Sequence, residues 1–131
     1  MKRFILATHA YMSKGIKSSL DLILGKQDNV SVYCAYTEEE PFFKPLIVKE
    51  VEDHPEDEFV IMTDLFGGSV NNEFMKYISN PQIRLIAGMN LALVITAMSI
   101  VEMKNNAAEV EEELLGIADS VINFCSRTGI D

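Results

Sequence analysis

The feature that most constrains this chain is the alternation of short apolar runs, rich in β-branched and aromatic residues, with segments of helical periodicity. Four such runs predict strands, over residues 3–8, 30–36, 58–63 and 83–87. Continuous apolar strands separated by helices are typical of a parallel sheet that is covered on both faces. The sequence therefore predicts an α/β fold, in which a doubly wound, mostly parallel sheet has helices on both faces.

Helical patterns between the first three runs predict the first two crossover helices. The first helix ends at Gly25, because glycine favours helix termination. Four apolar residues are predicted to share one face of it: Ile16, Leu20, Ile23 and Leu24. The second helix is predicted to begin at Thr37, with Glu40 three residues later as in a capping box. Pro45 would kink this second helix if it were long.

Three more helices are predicted after the third strand. One begins at Ser69 and ends before Pro81, since proline disfavours helical geometry in the residue before it. The next, over residues 91–103, is apolar on nearly every side, which indicates burial in the core or in a subunit interface. The last helix has acidic first turns and carries a continuous apolar stripe: Val110, Leu114, Ile117, Ala118, Val121, Ile122 and Cys125.

Length and charge narrow the class of protein. A chain of 131 residues with 48% hydrophobic content fits one domain, over residues 1–131. Its 20 acidic and 11 basic residues give a net charge of -9, which argues against nucleic acid as a partner. No apolar stretch approaches the roughly 20 residues of a membrane helix, so we expect a soluble protein; two cysteines in a domain that needs no disulfide indicate a cytoplasmic one. We expect Cys34 and Cys125 to be reduced core residues, because no spacing suggests a zinc site.

Residues suited to chemistry follow three of the predicted strands. Ligands of open α/β sheets bind at the carboxyl ends of the strands, where the strand order reverses. His9 follows the first strand, Asp64 follows the third, and Gly88 follows the fourth. If the strand order is 2-1-3-4, the first and third strands are neighbours. His9 and Asp64 would then lie within hydrogen-bonding distance.

This combination predicts a phosphohistidine site. A carboxylate bonded to one ring N–H of His9 would fix the tautomer and leave the other nitrogen as a nucleophile. Gly67 and Gly68 allow the backbone to approach a ligand, and a helix beginning at Ser69 offers N–H groups to an anion. The other histidine, His54, lies in an acidic turn, and we expect it to have no role.

The sequence lacks the motifs of three other kinds of site. Receiver domains also place an aspartate after the third strand, but they need an acidic pair after the first, where this chain has Ala7, Thr8 and His9. Gly-rich nucleotide-binding loops are missing, and so is the Gly-x-Ser-x-Gly turn of serine hydrolases.

Three segments resemble the signature segments of the mannose-family enzyme IIA component of the bacterial phosphoenolpyruvate-dependent sugar phosphotransferase system. They are FILATH at 4–9, DLFGGS at 64–69 with two asparagines at 71–72, and IAGMNL at 86–91. The resemblance covers essentially the whole chain. It implies that His9 accepts a phosphoryl group from phosphorylated HPr and passes it to the enzyme IIB component of a mannose-, fructose- or sorbose-type permease. It also implies that Asp64 orients the His9 ring and that Ser69 lies near the phosphoryl group.

The resemblance carries further expectations. It implies a homodimer in which an additional antiparallel strand near the chain end is exchanged between subunits. We expect no metal and no cofactor, since in-line phosphoryl transfer between histidines needs neither. Tyr11, Met12 and Phe66 are candidate docking residues for the two partners, although loop packing explains them equally well.

Three positions depart from the family pattern. Many members have glycine directly after the histidine, where this chain has Ala10. Many also have proline where this chain has Val70 and Ala92. If the residue at position 10 needs a positive φ, its methyl group strains this loop.

Two alternatives remain open. The chain could be a regulatory IIA-like phosphotransferase subunit, such as that of dihydroxyacetone kinase. In such a subunit phosphorylation is a signal and is not used for sugar transport. It could also be a small-molecule binding module without phosphorylation. The sequence does not identify a sugar, because the sugar binds the membrane component.

Overall fold

The computed structural model describes residues 2–101 and 106–127 as a sheet flanked by helices. Its strands and α-helices in chain order are β1 (Lys2–His9), α1 (Met12–Leu24), β2 (Val30–Ala35), α2 (Phe43–Glu52), β3 (Glu58–Thr63), α3 (Ser69–Phe74), β4 (Ile83–Ala87), α4 (Leu91–Val101) and α5 (Ala107–Ile117). Short 3-10 turns follow at Met75–Tyr77, Ala118–Ser120 and Cys125–Arg127.

The sheet confirms the predicted topology. Its order is β2-β1-β3-β4, and each neighbouring pair is parallel. In β1, Phe4 aligns with Val30 on one side and with Val60 on the other. Within the described ranges no fifth strand joins this sheet. The antiparallel strand implied by the resemblance is therefore not seen, and residues 128–131 near the chain end lie outside the described part.

Two hydrophobic clusters cover the two faces of the sheet. Phe4 and Leu6 point towards α1, α4 and α5, whereas Ile5 and Ala7 point towards α2 and α3. This alternation follows from the two-residue period of a strand. Because helices cover both faces, the central strand is wholly buried from residue 4 to residue 8. The carboxyl ends of the strands are thereby held on a rigid edge.

The second helix begins later than the sequence predicts. Thr37 Oγ1 does accept the Glu40 backbone N–H, at 3.2 Å. However, the Glu40 carboxylate turns back and accepts the N–H of Cys34 at 3.2 Å. The pair therefore closes a turn after β2 and does not start a helix. Helix α2 begins at Phe43, and Pro45 lies in its first turn, where a missing N–H costs no hydrogen bond.

The ends of the helical segments also differ from expectation. Ile16 and Leu20 face the core, but Ile23 and Leu24 in the last turn of α1 are exposed. Residues 102 and 103 of the predicted fourth helix lie outside the described ranges.

Helix α5 ends at Ile117, so the predicted stripe does not stay helical up to Cys125. The Ser120 hydroxyl donates to the Ile117 carbonyl at 2.9 Å, which competes with the helical backbone bonds. Cys34 is buried as expected, but the prediction of a core position for Cys125 is wrong, because it is exposed. No helix in the described part of the chain is both long and apolar enough to cross a bilayer.

Candidate functional site

His9 ends β1 at the carboxyl edge of the sheet, and Asp64 directly follows the neighbouring strand β3. One carboxylate oxygen of Asp64, Oδ2, accepts both the backbone N–H of His9 and its ring Nδ1–H, each at 2.8 Å. Since a carboxylate only accepts hydrogen bonds, the proton of the neutral ring resides on Nδ1. The lone pair of Nε2 is thereby left on the side away from Asp64.

The Asp64 carboxylate is mostly covered, with 9% of its side chain exposed, whereas 40% of the His9 side chain is exposed. Burial alone would raise the pKa of Asp64. The hydrogen bonds from the His9 backbone and ring outweigh that effect and hold the pKa of Asp64 below its usual range. The Leu65 N–H donates to the second oxygen, Oδ1, at 3.0 Å. Asp64 is therefore a fixed anion behind a solvent-accessible ring.

The loop between β3 and α3 needs both of its glycines. Gly67 has φ +79°, a conformation that other residues rarely adopt. A Cβ on Gly68 would lie 3.3 Å from the Leu65 carbonyl and 3.4 Å from His9 Cε1. The bare backbone at Gly68 therefore lets the loop pass close beside the imidazole.

A buried hydrogen bond connects this loop to the core. The Thr63 hydroxyl donates to the Asn71 side-chain oxygen at 2.7 Å, and both residues are buried. The bond joins the end of β3 to the first turns of α3. Both ends of the intervening loop are thus held relative to His9.

Ser69, the first residue of α3, is the hydroxyl nearest to the free ring nitrogen. Its Oγ lies 3.4 Å from His9 Nε2 and 2.8 Å from the Tyr36 hydroxyl. Sequence reasoning missed Tyr36, although this residue directly follows β2 at the same edge of the sheet. The strand-end rule, applied to the second strand, points to the segment after residue 36, but it does not indicate that Tyr36, the last residue of the predicted strand, contacts Ser69.

The three positions that depart from the family pattern, 10, 70 and 92, differ in backbone conformation and in burial. Ala10 has φ +53°, so its methyl group strains the loop. Val70, the second residue of α3, is fully buried in the core, whereas Ala92 is exposed in the first turn of α4.

The three candidate docking residues are all exposed: Tyr11 and Phe66 lie in the loops after β1 and β3, and Met12 is the first residue of α1. The exposed fractions are 49% for Tyr11, 43% for Met12 and 85% for Phe66. The Tyr11 hydroxyl donates to Glu39 at 2.6 Å, which holds its ring over the same edge. Phe66 is the most exposed of the three.

The second histidine is separate from this arrangement. His54 Nδ1 donates to the Glu50 carbonyl at 2.8 Å, at the far end of α2. In the described ranges, no group of three or more histidine, cysteine, aspartate or glutamate side chains could hold a metal ion. The edge that carries His9 instead combines an oriented imidazole, a fixed anion, a glycine loop and two hydroxyls.

An α/β domain of this strand order, with an oriented histidine at its topological switch point, defines a class of protein whose site lies at the carboxyl edge of a parallel sheet. The family model described as the PTS system fructose IIA component matches residues 3–115. The chain therefore belongs to the mannose/fructose family of IIA components of the sugar phosphotransferase system, a family of phosphotransferases.

Solved structures agree with this assignment. A Klebsiella pneumoniae protein described as a permease of the phosphoenolpyruvate-dependent sugar phosphotransferase system is 37% identical, with a TM-score of 0.86. The match covers 97% of this chain and 93% of that one. No curated protein sequence matches significantly.

Two more distant structures from Enterococcus faecalis share the fold. One is a mannose/sorbose-specific IIA subunit, at 24% identity, a TM-score of 0.79 and 94% coverage of both chains. The other is a sigma-54 interaction domain protein, at 15% identity, a TM-score of 0.72 and 92% coverage of both chains.

Proposed function

We propose that this protein is a phosphoryl carrier in sugar uptake, phosphorylated on His9 Nε2 in the cytoplasm. The donor is phosphorylated HPr, and the acceptor is the enzyme IIB component of a sugar permease. The observation that carries the proposal is the pair of bonds from His9 to one oxygen of Asp64. They fix both the backbone and the ring of the nucleophile.

The transfer step requires only an exchange of bonds to phosphorus. The Nε2 lone pair of His9 attacks the phosphorus of the donor phosphohistidine in line, so the new N–P bond forms as the donor N–P bond breaks. The electron pair of the broken bond returns to the donor ring. The Nδ1 proton stays on His9, hydrogen-bonded to Asp64, whose negative charge stabilises the phosphorylated ring.

Gly67, Gly68 and Ser69 are proposed to bind the phosphoryl group. Gly68 leaves room beside His9 Cε1, and the Ser69 hydroxyl lies within 3.4 Å of the atom that becomes phosphorylated. A hydroxyl there can donate to an oxygen of the negatively charged phosphoryl group as the N–P bond forms. Positioning of this kind accounts for most of the catalysis in phosphoryl transfer.

Tyr11, Met12 and Phe66 are proposed to form the docking surface for both partners. Their exposure beside His9 provides apolar area at the place where a donor or acceptor histidine must approach. Apolar side chains, methionine especially, adapt to more than one partner. A carrier that receives and donates through one histidine needs such a shared surface.

Mass measurement after incubation with enzyme I, HPr and phosphoenolpyruvate tests the proposal. We expect an acid-labile gain of one phosphoryl group in the native chain and none in His9→Ala. Asp64→Asn should fold and accept the group more slowly, because the charge behind the ring is lost. A full gain in His9→Ala would refute the site, and undiminished transfer in Asp64→Asn would refute the orienting role.

A regulatory IIA-like subunit, as in dihydroxyacetone kinase, would use the same His9 chemistry. The same fold occurs in a protein described as a sigma-54 interaction domain protein. Adding the purified IIB component to the phosphorylated chain separates the two functions. A carrier in transport should lose its phosphoryl group to IIB, and a regulatory subunit should retain it.

A further inference from the structure

Tyr36 belongs to the site by contact, although neither the family pattern nor the transfer step assigns it a role. Its hydroxyl is 2.8 Å from Ser69 Oγ, closer than the 3.4 Å between Ser69 Oγ and His9 Nε2. Its ring centroid lies 5.7 Å from that of His9. The Tyr36 ring makes a T-shaped contact with the ring of Phe43, a core residue, with the two centroids 5.3 Å apart and an interplanar angle of 76°.

The backbone of Tyr36 is in a conformation that tyrosine avoids. Its φ is +65°, in the left-handed region, which glycine, asparagine and aspartate tolerate far better. Burial does not explain this conformation, since 58% of the residue is exposed. Strained conformations of this kind persist when the surrounding contacts determine them, and they cluster at functional sites.

We propose that Tyr36 is a positioning residue for phosphoryl transfer, which acts by fixing the Ser69 hydroxyl beside His9 Nε2. This inference rests on the proposed function of His9. Phe43 holds the ring from the core side, and the ring holds the hydroxyl over Ser69. The Ser69 oxygen is thereby fixed before a phosphoryl group arrives.

The direction of the hydrogen bonds explains why a second hydroxyl is useful. Ser69 has one proton to donate, and donating it to the Nε2 lone pair would oppose the attack on phosphorus. Before transfer, Ser69 can donate this proton to the Tyr36 hydroxyl, its closer partner at 2.8 Å, and its Oγ stays 3.4 Å from Nε2. After the N–P bond forms, the Ser69 hydroxyl can donate to a phosphoryl oxygen while Tyr36 donates to Ser69 Oγ. The loss of this arrangement should affect the transfer step and leave partner binding unchanged.

The test measures single-turnover transfer from phosphorylated HPr by quenched flow over a range of HPr concentrations. Tyr36→Phe keeps the ring packing and removes only the hydroxyl. We expect its maximal transfer rate to fall about threefold to tenfold, the range of one neutral hydrogen bond, with the half-saturating HPr concentration unchanged. In a Ser69→Ala background, Tyr36→Phe should cause no further loss.

Tyr77→Phe is the matched control, because the Tyr77 hydroxyl is buried without a hydrogen-bond partner in the described structure, and it should transfer at the native rate. A native rate in Tyr36→Phe would overturn the inference. So would a loss that adds fully to that of Ser69→Ala, or a change confined to the half-saturating concentration. If Tyr36→Phe does not fold, Tyr36→Asn removes the hydroxyl while tolerating the positive φ, and the same outcomes apply.

A failure of the proposed function is distinguishable from a failure of this inference. A native chain that takes up no phosphoryl group would overturn both. A phosphorylated native chain with an unimpaired Tyr36→Phe variant would overturn the role of Tyr36 alone.

Discussion

Asp64 illustrates at residue scale how one carboxylate oxygen can determine the chemistry of a neighbouring group. Oδ2 receives two hydrogen bonds from the same histidine, one from its backbone and one from its ring. The backbone bond fixes where His9 lies, and the ring bond fixes which nitrogen keeps its proton. Those two constraints would otherwise require two separate residues.

The depressed pKa of Asp64 predicts a specific dependence of stability on pH. A carboxylate whose folded pKa is lowered stabilises the fold above its unfolded pKa, about 3.9, and loses that contribution as the pH falls through the folded value. We therefore expect Asp64→Asn to be less stable than the native chain at pH 5, with a smaller gap at pH 3. Urea unfolding at both pH values measures the difference in the free energy of unfolding between the two proteins. A difference of the same size at pH 5 and pH 3 would contradict the prediction.

Ala10 predicts a stabilising substitution. At φ +53° a methyl group is strained, and Ala10 is exposed, so glycine would relieve the strain without leaving a cavity. We expect Ala10→Gly to raise the free energy of unfolding by about 0.5 kcal/mol, after the entropy that glycine adds to the unfolded chain. Ala92→Gly, at an exposed position in α4, is the control and should lower it by about 1 kcal/mol. Equal losses in both variants would show that position 10 is not strained.

Pairing between residues of the site was predictable only in part. His9 and Asp64 follow adjacent strands of the predicted order, so their contact follows from topology. Tyr36 was missed because its position depends on a left-handed backbone and on Phe43, which lies beyond the turn after β2. A tyrosine gives no sequence signal of positive φ, whereas glycine or asparagine would have indicated it.

At the scale of elements, strands were easier to predict than helix ends. Residues 58–63 and 83–87 form strands with the predicted bounds, because an apolar run of that length packs on both faces. Helix starts depend on short polar contacts that compete with one another. Thr37 and Glu40 have the spacing of a cap, but the bond from Cys34 draws Glu40 back into a turn.

The capping box of α5 gives a prediction at this scale. Asn106 accepts the Glu109 N–H at 2.8 Å, and the Glu109 side chain accepts the Asn106 N–H at 3.2 Å. Asn106→Ala should lower the free energy of unfolding by about 1 kcal/mol, whereas Asn106→Ser keeps a capping oxygen and should change it little. Thermal or urea unfolding compares the two variants. Equal stability of both would show that the cap contributes nothing.

At the scale of the whole molecule, the net charge of -9 affects the encounter with partners more than the fold. We expect the transfer rate from phosphorylated HPr to fall as sodium chloride rises from about 20 to 300 mM, because salt screens the attraction of basic residues on HPr. Phosphoramidate, a small anionic donor, is the control and should show no such fall. An HPr reaction that is insensitive to salt would exclude electrostatic steering.

The account as a whole depends on which nitrogen carries the phosphoryl group. Phosphorus NMR of the chain phosphorylated by enzyme I, HPr and phosphoenolpyruvate distinguishes the two isomers of phosphohistidine. Because Asp64 holds Nδ1, we predict a single resonance from the Nε2 isomer, retained in His54→Gln and missing in His9→Ala. A resonance from the Nδ1 isomer, or any phosphohistidine signal in His9→Ala, would contradict the account.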